Sequence, residues 1–257
     1  MKGPAGVLAL VLAETVGGAT GYLFLMPLWN EVRRGFFKLC GLIILLLAVG
    51  LWASVAAARI PGDHFGELSL WLSLAFTIAS ALWLILLFTP LQTAARIVGM
   101  CTVPLVLALL VALAGTADEA FYRAFLQLLA GTVFMGAVID GLLLGHWYLT
   151  DRKLTRKPIN RLAIALIIAV VLEAIAVIAG GFGPAKSKEF SALLTAAGLA
   201  PWIALGMVGA TALIAGMIKA TLKGERATAV QAATGFFYLA VITAFAAEMA
   251  AKVKFLP

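Results

Sequence analysis

Eight long apolar runs decide what this chain can fold into: Gly6–Trp29, Leu39–Ala58, Leu68–Phe88, Val98–Gly115, Leu126–Leu149, Leu162–Gly180, Ala200–Leu222 and Ala232–Lys252. Crossing a hydrocarbon core of about 30 Å takes about 20 apolar residues in a helix. The runs are continuously apolar and lack the two-residue alternation of barrel strands, so they predict helices, which satisfy their backbone groups internally. The expected fold is all-α: a polytopic transmembrane bundle of eight spans, with residues 1–257 as a single integral membrane domain. The fourth run is the shortest and carries Pro104. Short connections predict antiparallel hairpins, and the longer Phe182–Leu199 predicts a short helix on the membrane surface. Met1-Lys2 and Val11-Leu12-Ala13 loosely match a cleaved signal, but the apolar run continues to Trp29, so the first helix is expected to be retained.

Composition narrows the class further. The chain is 63% hydrophobic and 12% charged, against about 45–50% and about 25% in soluble domains, which excludes a water-soluble globule. The net charge of +7 is not a nucleic-acid footprint, because the basic residues sit in segments between apolar runs. They set orientation instead. One side holds 12: Arg33, Arg34, Lys38, Arg96, Arg152, Lys153, Arg156, Lys157, Arg161, Lys219, Lys223 and Arg226. The other holds 7: Lys2, Arg59, Arg123, Lys186, Lys188, Lys252 and Lys254. Both termini are therefore expected outside, in a bacterial inner (cell) membrane. An even number of spans also admits two parallel four-helix halves, and Gly21-Tyr22-Leu23 and Gly145-His146-Trp147 occupy corresponding places before basic loops.

Ionisable groups inside a membrane are costly, which makes each a functional hypothesis. Four carboxylates qualify: Glu14, Asp140, Glu173 and Glu248. At about 1.5 Å per residue from the basic ends of the runs, Asp140 and Glu173 lie about 14 and 16 Å deep, and Glu14 and Glu248 about 22–24 Å. The set reads as a ladder for protons, or as polar glue between helices. Asp140 and Glu173, on successive helices at matched depth, are expected to face the bundle interior within reach of each other. Gly17, Gly18 and Gly21 follow Glu14 and let a helix or a flat ligand approach the backbone.

His146 stands in Gly145-His146-Trp147-Tyr148-Leu149, just before the basic segment Asp151–Arg161. Imidazole can donate to a quinone carbonyl and pass a proton near neutral pH, with Trp147 and Tyr148 as wall and hydroxyl. An aromatic belt is the plainer account, and it is the better one for Trp29, Trp71 and Trp202. His64 and His146 are the only histidines and fall at opposite faces, so a bis-His haem is disfavoured. A His146–Met pair with Met26, Met100 or Met217 stays open. Cys40 and Cys101, both expected at helix starts on the basic side, suit reduced packing roles, and ligands for structural zinc are wanting. Phosphate loops, nucleophile elbows and His-Glu-x-x-His are absent from the sequence, leaving hydrolase and kinase chemistry without support.

Eight helices in possible four-helix halves, intramembrane acids and a His-aromatic cluster at one leaflet resemble the membrane anchors of the polysulfide-reductase and DMSO-reductase type. The likeness is carried by Gly145–Leu149, Glu14 and Glu248-Met249-Ala250-Ala251-Lys252. The family's terminal acid is usually followed by an Arg-aromatic continuation, where this chain has Lys254-Phe255. The resemblance implies a haem-free subunit that interacts with quinone, contacts membrane lipid and has partner subunits carrying iron–sulfur or molybdenum centres. Two other accounts compete: a proton-coupled small-solute transporter, which needs a central water-accessible cavity, and a structural subunit of a larger membrane complex.

Overall fold

A computed structural model describes residues 1–151, 153–183, 190, 194–195, 198–224 and 226–256, with the side chains at 226 and 227 outside that description. The surface helix expected over Phe182–Leu199 falls largely outside the described residues, as do Arg152, Lys186, Lys188 and the Arg226 side chain.

The helices are α1 (Gly3–Leu25), α2 (Leu28–Glu31), α3 (Arg34–Ala58), α4 (His64–Leu87), α5 (Gln92–Gly115), α6 (Phe121–Thr150), α7 (Lys157–Gly180), α8 (Leu199–Thr221) and α9 (Arg226–Lys252), followed by a 3-10 turn over Val253–Phe255. Eight of them are long and apolar enough to cross a membrane, so this is an all-α integral membrane bundle. The first apolar run does not stay one helix to Trp29. It breaks at Met26-Pro27, and Trp29 lies on the short α2, because proline disfavours helical geometry in the residue before it. Pro104, by contrast, sits inside an unbroken α5. Several helices extend past their apolar runs into charged sequence, so connections such as 88–91 and 222–225 are shorter than hydropathy suggests. That extension also places Cys40 and Cys101 inside α3 and α5 rather than at their starts.

Spans alternate in direction, and hydrogen bonds tie both chain ends to one face, here the N-face. The Lys2 N–H donates to the Ala58 carbonyl at 2.9 Å, and the Asp118 N–H donates to the Phe255 carbonyl at 2.9 Å. On the opposite, far face, basic side chains occupy orphan carbonyls at helix C-termini. Arg34 donates to Leu86 and Thr89 at the end of α4, and Arg156 donates to Leu222 and Gly224 after α8.

Packing divides the bundle into two rings. Helices α1, α3, α4 and α5 pack in sequence with α5 returning to α1, and α6, α7, α8 and α9 repeat the arrangement with α9 returning to α6. The rings join along α1 and α6, flanked by α5 on α6 and α9 on α1. Exchanging α1 with α6 and α5 with α9 therefore maps the ring and seam contacts onto themselves, although α3 also touches α6 with no equal packing of α7 on α1, and both leading helices start at the N-face. The halves are parallel repeats in space. Their register differs from the one suggested by Gly21 and Gly145. The helices cross at Gly18 and Gly136, where a Cβ on Gly18 would stand 2.0 Å from the Thr132 carbonyl oxygen and 2.6 Å from the Gly136 Cα. Each glycine lies fifteen residues after the first residue of its helix (18 − 3 and 136 − 121). Small residues at such crossings let backbones touch, the main source of cohesion between helices in lipid.

At the far face two ion pairs span the halves: Arg161 holds both oxygens of Glu31 at 2.8 and 2.7 Å, and Arg33 Nε lies 3.2 Å from Asp151. Arg161 is 40% exposed. Because such pairs are screened by water, Arg161→Ala is expected to cost less than about 1 kcal/mol, measured as the shift in unfolding midpoint in detergent.

Candidate functional site

Four ionisable side chains from three helices meet at the N-face half of the seam. Lys252 Nζ on α9 lies 2.8 Å from Glu14 Oε1 on α1 and 2.8 Å from Glu248 Oε2, one turn back on α9. Glu173 on α7 comes within hydrogen-bonding range of Glu248. Exposure is 0% for Glu14, Glu248 and Lys252 and 1% for Glu173. Gly131 on α6 makes the room: a Cβ there would lie 2.4 Å from Glu14 Oε1 and 2.9 Å from Glu248 Oε2. Glu14 Oε2, Glu248 Oε1 and Glu173 Oε2 are buried without a hydrogen-bond partner among the described residues.

The end of the chain closes this cluster toward the N-face. After Lys252 the 3-10 turn folds Phe255 back, with the Lys252 ammonium 5.2 Å from its ring centroid. Lys254 Nζ donates to the Gly180 and Gly181 carbonyls at 2.6 and 2.8 Å, capping α7, and Leu256 packs at Gly6 of α1. Val253, Phe255 and Leu256 are all buried.

The ladder expected from sequence is thus one cluster plus a separate acid. Glu173 joins Glu14 and Glu248 because α7 starts at Lys157, five residues before the apolar run (162 − 157), which adds about 7 Å to its depth. Asp140 is buried but lies elsewhere, nine residues along α6 from Gly131 (140 − 131), about 13 Å of helical rise. Its electrostatic neighbours are Tyr22 on α1 and Cys40 on α3, and neither of its oxygens has a hydrogen-bond partner among the described residues. Asp140 and Glu173 both face the interior, and the structure does not bring them together.

Beside the seam, α1, α5 and α6 leave a groove of about 340 Å³. Gly17, Gly18 and Gly21 line it on α1, Val106 on α5, and Thr132 and Val133 on α6. The Tyr22 hydroxyl donates to the Val133 carbonyl at 3.1 Å at its edge. Leu25 and Leu107 on its rim are exposed on the outer surface of the bundle.

The side chains of His146, Trp147 and Tyr148 diverge. His146 Nε2 lies 2.6 Å from the Tyr238 hydroxyl of α9, and Nδ1 lies 3.3 Å from the Leu142 carbonyl. Trp147 packs on Gly35 and Phe36 of α3, and Tyr148 donates to the Thr155 carbonyl. Successive helical residues point about 100° apart, so one wall does not form from all three. His64, at the start of α4, is on the N-face. Two participants were missed by sequence reading. Lys252 was visible as the cation four residues after Glu248, whereas Tyr238, on a different helix from His146, left no local signal.

Comparison of the chain with protein-family models, curated proteins and solved structures finds no match.

Proposed function

We propose that this integral membrane protein handles protons for a quinone-linked electron-transfer complex, as its subunit facing quinone. The observation that carries the reading is the sealed cluster of Glu14, Glu173, Glu248 and Lys252. One ammonium neutralises one carboxylate. A site closed to water balances its charge by holding protons on the remaining carboxyls, since unpaired buried charges are prohibitive. Such a cluster stores protons that can be released and recovered. Quinone reduction consumes them: two electrons from a partner subunit's redox centre and two protons convert one quinone to one quinol. Glu14 lies one helical turn from Gly17, and Gly131 adjoins Thr132, so the proton store and the lateral groove share the seam. This lateral opening favours a lipid-soluble substrate over a water-soluble solute. His146 and Tyr238, hydrogen-bonded near the far face, suit proton exchange on that side.

The test uses the protein extracted from its native membrane in mild detergent. Redox-active subunits are expected to co-purify, and the preparation to reduce or oxidise quinone. Glu14→Gln and Glu248→Gln each remove a proton-binding group at nearly constant volume. Each is expected to lower turnover about 10²-fold or more, the scale of losing a proton-transfer group, while the complex still assembles. Unchanged turnover in an assembled Glu14→Gln, Glu248→Gln double variant would refute the proton-store reading.

A further inference from the structure

A second groove, between α6 and α7, opens on the outer surface of the bundle. It holds about 620 Å³, within the about 300–1,000 Å³ of small-molecule sites. Its lining runs from Tyr122 to Val133 on α6 and from Ala179 back to Leu172 on α7. Eleven residues separate Tyr122 from Val133 (133 − 122), about 16 Å of helical rise. That is about half of a 30 Å hydrocarbon core, so the groove has the depth of one leaflet. Its chemistry is graded along that depth. Tyr122, Arg123 and Gln127 are its polar residues and all lie at the N-face end, whereas Leu129, Val133, Leu172 and Ile175 make the deeper part apolar. We infer that this groove binds an anionic phospholipid, with the phosphate at Arg123 and one acyl chain laid between α6 and α7. The site is independent of the proton reading above.

The N-face end is arranged for an anion. Arg123 Nε donates to the Tyr122 hydroxyl at 3.2 Å, and the guanidinium carbon lies 5.8 Å from the centroid of that ring. The tyrosine thus holds the cation at the mouth without using its two Nη groups. Among the described residues no carboxylate pairs with Arg123; Glu119, one turn before it, accepts instead from Gln127 Nε2 at 3.2 Å. Arg123 also stands in the first turn of α6, where the helix dipole disfavours a cation and favours an anion beside it. On the other wall, Lys254 Nζ caps the Gly180 and Gly181 carbonyls, next to Ala179 of the lining, so the end of α7 presents no bare negative pole to a phosphate. Deeper in, Leu126, Leu172 and Ile175 are exposed on the two walls and give a chain apolar contact on both sides. A lipid fits this division better than a second copy of the chain does. A partnering helix would need a groove through both leaflets, and this one ends at Val133.

Photo-crosslinking tests this on the full chain in phosphatidylcholine nanodiscs. The probe is a trace of lipid with a diazirine in its acyl chain, carrying either a phosphatidylglycerol or a phosphatidylcholine headgroup. The glycerol form is expected to label residues 126–133 of α6 or 172–179 of α7 about fivefold more than the choline form, the scale of one basic side chain facing an anionic lipid. Arg123→Gln, at an exposed position, is expected to remove that preference and leave labelling by the choline form unchanged. Arg96→Gln, which removes an exposed cation of α5 near the far face, is expected to keep it. Equal labelling by the two headgroups on the wild-type chain would mean an ordinary boundary lipid and overturns the proposal. A preference that survives Arg123→Gln, or cross-links between two copies of the chain in place of lipid label, overturns it as well.

Discussion

Lys252→Met is expected to destabilise the protein by about 3–5 kcal/mol, the scale of removing one partner from a buried ion cluster. The substitution keeps an unbranched side chain but strips the cation from between Glu14 and Glu248, which lie 2.8 Å away on either side. It leaves three carboxyls together in a site buried from solvent. Thermal unfolding in a fixed detergent measures the loss. Adding Glu248→Gln to Lys252→Met is expected to recover part of it, because one source of uncompensated charge disappears with little change in shape. A single Lys252→Met protein within about 1 kcal/mol of wild type would mean that the ammonium balances no charge there.

The second large effect is expected at the crossing of α1 and α6. A Cβ on Gly136 would stand 2.3 Å from the Gly18 carbonyl carbon and 2.4 Å from its Cα. Backbone atoms cannot rotate aside as a side chain can, so the two helices must separate along the seam. Gly136→Val is accordingly expected to exceed the roughly 1–3 kcal/mol typical of overpacking and to abolish the monodisperse species in size-exclusion chromatography. Gly206→Ala on α8, where a Cβ meets no atom within 4 Å, is the matched control and is expected to be silent or slightly stabilising. A normal elution profile for Gly136→Val would show that the halves are not joined at these two glycines.

The spans were legible because crossing hydrocarbon demands long apolar helices, and this demand is written locally in every run. Helix ends were not, since polar residues such as Lys157 and Arg161 continue a helix beyond the apolar stretch. That error of one to two turns hid the meeting of Glu173 with Glu14 and Glu248. The four intramembrane acids could be picked out one by one, because each is anomalous in its own apolar surroundings. Their grouping depends on how α1, α7 and α9 are packed around Gly131, a property of distant segments that no local spacing records. Lys252 was counted only among the basic residues of the outer side for the same reason. Its burial comes from the turn that folds Phe255 and Leu256 back over the bundle.

The contact exchange that relates the two rings has a consequence for the division of labour along the seam. It carries α9 onto α5, and it carries Glu14 onto Thr132, each eleven residues into its helix (14 − 3 and 132 − 121). The charged cluster and the groove thus lie on equivalent flanks of the seam, with ionisable side chains on the flank covered by α9 and glycine, threonine and apolar side chains on the flank covered by α5. A repeat that kept both flanks alike would have two ionisable clusters and no groove, or two grooves and no cluster. Broken symmetry gives this chain one of each, back to back across a single helix pair whose axes lie no more than about 8–10 Å apart. On the proton-store reading proposed above, transfer between them crosses a single helix pair rather than the whole bundle.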